Sequence, residues 1–131
     1  MKRLIAIFLT TLILVSMAGC HRITIQDNGN ATLKYSGKWM GDTTEVTQIL
    51  TEEETRNVKA YLTSATYTPG QGGCPFDEDI SITFGDQVFC IAYDGCAGVR
   101  LGTDKYFQIS EEGRQYIVSL FVKYVDYFPY A

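Results

Sequence analysis

The sequence predicts an α+β domain in which an antiparallel sheet of about five to six strands carries two helices on one face. Several short segments alternate apolar and polar residues, a period typical of half-buried strands. Short glycine-containing turns join pairs of these segments, which favours hairpins and therefore antiparallel pairing. Two longer segments repeat apolar residues at helical spacing after a capping residue. The predicted order of elements is ββαββββα.

The first two predicted strands and the first helix lie before residue 66. Residues 31–35 alternate in polarity, and residues 43–50 are rich in β-branched side chains. Thr51 and Glu54 then match a capping box, in which each residue bonds the backbone amide of the other. The helix is therefore predicted to begin after Thr51 and to end near Ala65.

A loop and a hairpin are predicted next. Residues 67–73 contain one proline and three glycines, which is typical of a loop. Residues 79–84 and 87–93 form the clearest hairpin of the chain. A symmetric turn at residues 85–86 pairs positions whose numbers sum to 171, and this register aligns the apolar faces of the two strands. The register is therefore a specific prediction.

A second hairpin and a final helix complete the domain. Residues 99–102 and 105–109 are predicted to pair, and Ser110 is predicted to cap the helix that follows. The helix presents an apolar stripe that is predicted to be buried: Ile117, Leu120, Phe121, Tyr124 and Phe128.

The first twenty residues, MKRLIAIFLTTLILVSMAGC, combine a cationic start, an apolar run over residues 4–15 and small residues before Cys20. They resemble a bacterial lipoprotein signal peptide, with Met17 where the motif usually has Leu. The resemblance implies that residues 1–19 are a signal that is removed. It also implies that Cys20 carries a diacylglyceryl group on sulfur and an acyl chain on its new amino group, a two-signal anchor.

Two alternatives to lipidation remain open. The chain could be cleaved after residues 16–18, an A-x-A-like site, or residues 4–18 could stay as a membrane anchor. All three interpretations place the domain outside the cytoplasm. The enterobacterial signal for retention in the inner membrane has Asp directly after the cysteine. This chain has His21 at that position, so the signal is absent. The expected location is the cell membrane or the outer membrane, with the domain extracytoplasmic.

The domain boundary and the charge follow from this segment. Residues 20–30 are predicted to be the lipidated cysteine and a tether, and residues 31–131 a single domain. Ile23 and Ile25 alternate with polar residues, so an extra strand in this segment is the alternative. Loss of Lys2 and Arg3 with the signal leaves nine cationic and fifteen acidic side chains, a formal charge of −6. Nucleic acid is therefore not an expected partner.

Three cysteines remain after Cys20, and outside the cytoplasm they can oxidise. The hairpin register brings Cys74 close to Cys96, so a disulfide between them is predicted. Cys90 is predicted to point to the opposite face from the apolar core as a small buried or half-buried thiol; a reactive or intermolecular cysteine is the alternative.

The same register predicts an acidic cluster at the disulfide end of the hairpin. Asp77 is placed opposite Asp94, with Asp79 nearby, and such carboxylates could begin a calcium site. The alternative is a solvated loop whose carboxylates cap local amides. No cofactor other than calcium is suggested by the sequence.

Two aromatic or apolar segments are candidate partner surfaces. Trp39 and Met40 lie between two glycines, where few neighbours in sequence could cover them. Tyr127 and Tyr130 belong to the aromatic chain end, and exposed Tyr is enriched at interfaces. If these side chains cover the core instead, they have a packing role alone.

His21 is the only histidine, which disfavours triad catalysis and histidine-dependent zinc sites. The chain is therefore expected to be a non-enzymatic binding module of the cell envelope. It is expected to be held to the membrane by its lipid and to bind a protein or another envelope component. Alternatives are a calcium- or ligand-dependent sensor and, less favoured, an envelope enzyme. The arrangement of the mature domain resembles that of small bacterial lipoproteins.

Overall fold

A computed structural model of the protein describes residues 21–70 and 73–129, apart from the side chain of Trp39. Within these residues, seven antiparallel strands form one sheet that carries two α-helices. The α+β class, the antiparallel sheet and the two helices are therefore confirmed. The sheet has more strands than the five to six that the sequence predicts. No helix in the described part of the chain is long and apolar enough to cross a bilayer.

The elements follow the chain in the order ββαβββββα. The strands are β1 (Thr32–Ser36), β2 (Glu45–Ile49), β3 (Thr66–Thr68), β4 (Ile80–Phe84), β5 (Gln87–Ile91), β6 (Gly98–Leu101) and β7 (Lys105–Gln108). The helices are α1 (Glu52–Thr63) and α2 (Glu111–Val125), and a short 3-10 helix, Gly37–Met40, joins β1 to β2. In space the strands run β2-β1-β4-β5-β6-β7-β3, so β2 and β3 are the two edges.

Strand β3 is the element that the sequence did not predict. It lies where the end of a helix and the start of a loop were expected, and it pairs with β7, with Tyr67 opposite Phe107. Three residues are too few to show an alternating pattern, so local sequence carries little signal for this strand. Its pairing depends on α1, which carries the chain from one edge of the sheet to the other.

The predicted helix caps are confirmed. The Thr51 hydroxyl accepts from the Glu54 amide at 3.2 Å, while the Glu54 carboxylate accepts from the Thr51 amide at 2.9 Å. The Ser110 hydroxyl accepts from the Gly113 amide at 3.0 Å. Helix α2 ends at Val125, because Asp126 adopts a left-handed conformation with φ of 61°. Phe128, predicted on the helix stripe, is buried beyond the helix end.

The predicted register of the 79–93 hairpin is also confirmed. Pairing runs from Ser81 opposite Cys90 to Phe84 opposite Gln87. Gly85, the first turn residue, has φ of 55°, a conformation that glycine adopts without strain.

The core lies between the helices and one face of the sheet. The sheet side chains on this face and the inner side chains of both helices form a single buried cluster, which agrees with helices on one face. Its largest fully buried members are Tyr35, Phe84, Phe89, Phe121, Leu33, Leu50, Leu62, Ile80, Ile82, Ile91, Ile117 and Val58.

The segment expected as a tether packs against the domain over its described residues, 21–30. It is neither free chain nor a strand, because Ile23 and Ile25 are buried in the core cluster although the backbone pairs with no strand. The Gln87 side-chain amide also donates to the Thr24 carbonyl at 3.0 Å. Burial of the two Ile side chains contributes a few kcal/mol to the stability of the folded state, which an unpacked tether would not gain.

Candidate partner-binding site

A surface groove lies where the connection between β1 and β2 meets the end of α2. Its lining combines four apolar or aromatic side chains with two polar ones around a volume of about 320 Å³: Tyr35, Met40, Val125 and Tyr127, with Asp42 and Thr44. We call this set of six residues the Met40 groove.

Two tight chain reversals position its exposed members. Gly41, with φ of 77°, ends the 3-10 helix directly after Met40. On the other side, the left-handed Asp126 ends α2 and turns Tyr127 back toward the sheet. Each reversal places a large side chain at the groove, where few local neighbours can cover it.

Met40 and Tyr127 touch across the groove although 87 residues separate them. The Tyr127 hydroxyl donates to the Met40 sulfur at 3.6 Å. The Tyr127 ring packs edge-on against Tyr35, with 6.3 Å between ring centroids. Met40 is 46% exposed and Tyr127 42% exposed, so both present apolar surface to solvent.

Asp42 gives the groove a negative charge. Its carboxylate accepts hydrogen bonds from the Thr44 hydroxyl at 2.9 Å and the Thr44 amide at 3.2 Å. These bonds hold the pKa of Asp42 below its ordinary value, and the bond from the Thr44 hydroxyl has the larger effect. The carboxylate is therefore ionised at neutral pH. The groove therefore joins an apolar floor to a fixed anion.

Two of the four predicted partner-surface residues, Met40 and Tyr127, are brought together in this way. Tyr130 and the side chain of Trp39 lie outside the described part of the structure. Sequence reasoning missed the contributions of Asp42, Thr44 and Val125. The Asp-x-Thr spacing of the first two signals a local turn, but their approach to α2 is a tertiary contact with no sequence signal.

A buried carboxylate holds the end of α2 in place beside the groove. Glu54 accepts from Lys123 Nζ at 2.7 Å and from the Tyr124 hydroxyl at 2.9 Å, in addition to its capping bond. Burial raises the pKa of Glu54, but the hydrogen bonds from Lys123, the Thr51 amide and Tyr124 outweigh it and lower the pKa to about 2. The start of α1 is thus fastened to the residues that precede Tyr127.

The predicted Cys74–Cys96 disulfide is present, with 6.2 Å between the Cα atoms. It draws the segment before β4 across the sheet face opposite the helices. A Cβ built on Gly98 would lie 3.1 Å from Cys74 Sγ and from the Phe76 ring, so these side chains lie directly on β6. Phe76 also packs on Tyr106, with centroids 5.7 Å apart. The disulfide therefore holds the segment that contains Cys74 and Phe76 as a cover over the face of the sheet opposite the helices.

Cys90 lies under this cover and is a fully buried free thiol, as predicted. Burial raises its pKa, and the nearby Arg100 guanidinium, at 3.4 Å from the sulfur, offsets only part of the effect. A thiol in this state is a poor nucleophile.

The three aspartates of the predicted calcium site do not form one cluster. Asp77 accepts from the Asp79 amide at 2.9 Å, and Asp94 accepts from the Cys96 amide at 3.1 Å, so both cap local turns. The Tyr93 amide reaches the Pro75 carbonyl at 3.4 Å, a shift of three residues from the extrapolated register. Asp94 therefore lies beside Cys74 and not opposite Asp77.

One group of candidate ligand atoms is found among the described residues. Cys74, Asp94 and Cys96 have ligand atoms within 4.8 Å of one another. Because the two sulfurs are bonded to each other, they are not thiolate ligands, and one carboxylate remains.

The sole histidine lies far from the Met40 groove in the sheet order. The His21 ring stacks on Tyr67 of β3, with centroids 4.1 Å apart, at the edge opposite β2. Searches of family models, of curated proteins and of solved structures found no significant match to this chain.

Proposed function

We propose that this protein is a lipid-anchored, extracytoplasmic module that binds a protein partner through the Met40 groove. The observation that carries the proposal is the exposed contact between Met40 and Tyr127. Met adapts its shape to different partners, and Tyr contributes a large contact area at low entropic cost. Both are enriched at protein interfaces relative to the rest of the surface.

The groove indicates the chemistry of the partner. A volume of about 320 Å³ with apolar walls accommodates a large apolar side chain. Asp42 at the same groove favours a neighbouring Lys or Arg, and the acidic charge of the whole chain favours a cationic partner in general. The expected ligand is a protein segment in which an apolar residue adjoins a basic one.

A binding role fits this groove better than a catalytic one. Its single carboxylate is bound to the Thr44 hydroxyl, and its described lining residues include no His, Lys or Cys. The histidine lies at the other edge of the sheet, against Tyr67.

The anchoring part of the proposal rests on the resemblance of residues 1–20 to a lipoprotein signal. Acylation of Cys20 would hold the domain at the cell membrane or the outer membrane, where its partner would be a protein or another component of the envelope. Mass spectrometry of the mature amino terminus tests this step, since a diacylglyceryl-modified Cys20 is expected.

Selection from a random peptide library on the acylated protein, purified in detergent, tests the groove. We expect enriched peptides to carry Lys or Arg next to Phe, Leu, Ile or Met. Tyr127→Ala should weaken a selected peptide at least tenfold, because truncation of a hot-spot aromatic costs about 2 kcal/mol or more and tenfold corresponds to about 1.4 kcal/mol. Asp42→Asn should weaken it less, and mainly at low salt.

The chain offers a matched control. Ile49 is 63% exposed on the edge strand β2, but it pairs with Thr32 on the opposite face of the sheet from Tyr35. Ile49→Ala should leave peptide affinity within twofold. Peptides that bind the Tyr127→Ala variant as tightly as the wild type, with both proteins equally stable to heat, would overturn the proposed groove.

A further inference from the structure

The described chain begins under tight restraint at one edge of the sheet. The His21 ring stacks on Tyr67 with 4.1 Å between centroids and an interplanar angle of 16°. Ile23 and Ile25, immediately after it, are buried in the core. Tyr67 is itself fixed against Phe107 of β7, at 5.7 Å. The amino-terminal end of the domain is thus fastened to the β3 edge.

Because His21 is already held against the domain, no flexible linker separates the domain from the proposed lipid on Cys20. Cys20 is bonded to His21, so their Cα atoms are about 3.8 Å apart. A residue that carries acyl chains must lie at the level of the lipid head groups. The edge on which His21 is stacked must therefore lie at the head groups as well.

The surface around His21 is polar and includes the cationic guanidinium of Arg22. His21, Arg22, Thr63, Ser64 and Thr66 line a shallow cavity of about 490 Å³ at this edge. Hydroxyl, imidazole and guanidinium groups suit phosphate-rich head groups, and Arg beside a bilayer surface is attracted to anionic lipid. This composition contrasts with the acidic balance of the chain as a whole.

The Met40 groove lies at the far end of the same sheet. Six interstrand spacings separate β3 from β2, and at about 4.8 Å each they span on the order of 29 Å before twist is considered. Met40 precedes β2 in the chain, and Tyr35, on the groove floor, belongs to β1, next to that edge. Whatever fixes one edge at the bilayer holds the groove away from it.

We infer that the β3 edge, with His21 and Arg22, is a membrane-facing surface that seats the domain directly on a phospholipid bilayer and holds the Met40 groove away from it. The inference rests on the proposed acylation of Cys20. A domain seated in this way has a fixed orientation relative to the bilayer, unlike a domain on a flexible tether. The groove is then presented to partners in the aqueous compartment.

Energy transfer from the domain to labelled lipid tests the orientation. The full acylated protein is reconstituted in phospholipid vesicles with a short-range acceptor on the head groups. A donor dye is attached by maleimide to Thr66→Cys or, as the matched control, to Thr47→Cys; both threonines are exposed, on β3 and β2 respectively. Cys90 is buried and the other two cysteines are bonded, so the introduced thiol is the accessible one in the described domain.

We expect transfer from position 66 to exceed transfer from position 47 at least twofold. Equal transfer from both positions, in protein that floats with the vesicles, would overturn the fixed orientation and leave the anchoring intact. Protein that does not float with vesicles and carries no acyl mass on Cys20 would overturn the proposed anchoring, and the orientation with it.

Discussion

The two edges of the sheet differ in what they expose and in what holds them. The β2 edge adjoins an open apolar groove, and the Glu54 ion pair and hydrogen bonds fasten α2 behind it. The β3 edge is three residues long, is polar, and is occupied by the amino-terminal segment through His21. The Cys74–Cys96 disulfide holds its covering segment over β6, which is separated from β3 by β7.

This difference fits the two roles that we propose for the sheet, membrane anchoring at the β3 edge and partner binding near the β2 edge. The β3 edge, where we propose that the lipid-bearing residue lies, has no exposed large apolar side chain among its described residues. The opposite edge exposes Met40 and Tyr127 at the groove. We call the strands nearer to β3 and the segments packed on them the β3 half, and those nearer to β2 the β2 half. The following changes should affect the two halves differently, from the largest expected effect to the smallest.

Removal of the disulfide should weaken the β3 half. The double variant Cys74→Ser/Cys96→Ser should lower the free energy of unfolding by about 3 kcal/mol, because a loop closed across 22 residues is released in the unfolded chain. Amide hydrogen exchange should accelerate first in β6 and β7. Exchange in β1 and β2 that accelerates as early as in β6 would contradict the proposed separation of the two halves.

Neutralisation of Glu54 should weaken the β2 half instead. Glu54→Gln should lower the free energy of unfolding by about 2 kcal/mol, since it weakens the bonds to Lys123 and to the helix cap. It should also reduce peptide affinity at the groove, because Lys123 and Tyr124 directly precede the groove residues Val125 and Tyr127. Glu53→Gln, at an exposed neighbouring position, is the matched control and should leave affinity unchanged.

Acid should act on the same network with a smaller effect. The pKa of Glu54 is about 2 in the folded protein, below the ordinary value of 4.5 for the unfolded chain. Its contribution is therefore present above pH 4.5 and is lost as the pH falls toward 2. With allowance for screening by solvent, Glu54 should account for about 1 kcal/mol of the stability lost between pH 5 and pH 3.

Urea unfolding of the wild type and of Glu54→Gln at both pH values measures this contribution. The variant should lose less stability on acidification than the wild type does. Identical losses would show that the folded state does not favour the ionised form of Glu54.

Local signals in the sequence predicted the elements that depend on neighbours in the chain. The Thr51–Glu54 capping box, the 85–86 turn and the pairing sum of 171 all involve residues close in sequence, and all are confirmed. The disulfide was predicted by extending that register. The same extension misplaced Asp77 relative to Asp94, because the chain turns out of the ladder before Ile80, where the Ile80 amide bonds the Asp77 carbonyl.

Features that depend on distant contacts could not be predicted. Strand β3 depends on its pairing with β7, and the burial of Ile23 and Ile25 depends on core residues that lie far away in the sequence. The sequence identified Met40 and Tyr127 separately as candidates for exposure. Their contact needs the left-handed turn at Asp126, a residue whose propensity for that conformation is modest.

Photo-crosslinking in the native membrane tests most directly whether the protein binds at one edge and is anchored at the other. A photoreactive residue is placed at position 40 or at position 66 of the acylated protein. We expect position 40 to yield a discrete protein adduct that a selected groove peptide competes away, and position 66 to yield adducts with phospholipid. Protein adducts at position 66 together with lipid adducts at position 40 would contradict this arrangement.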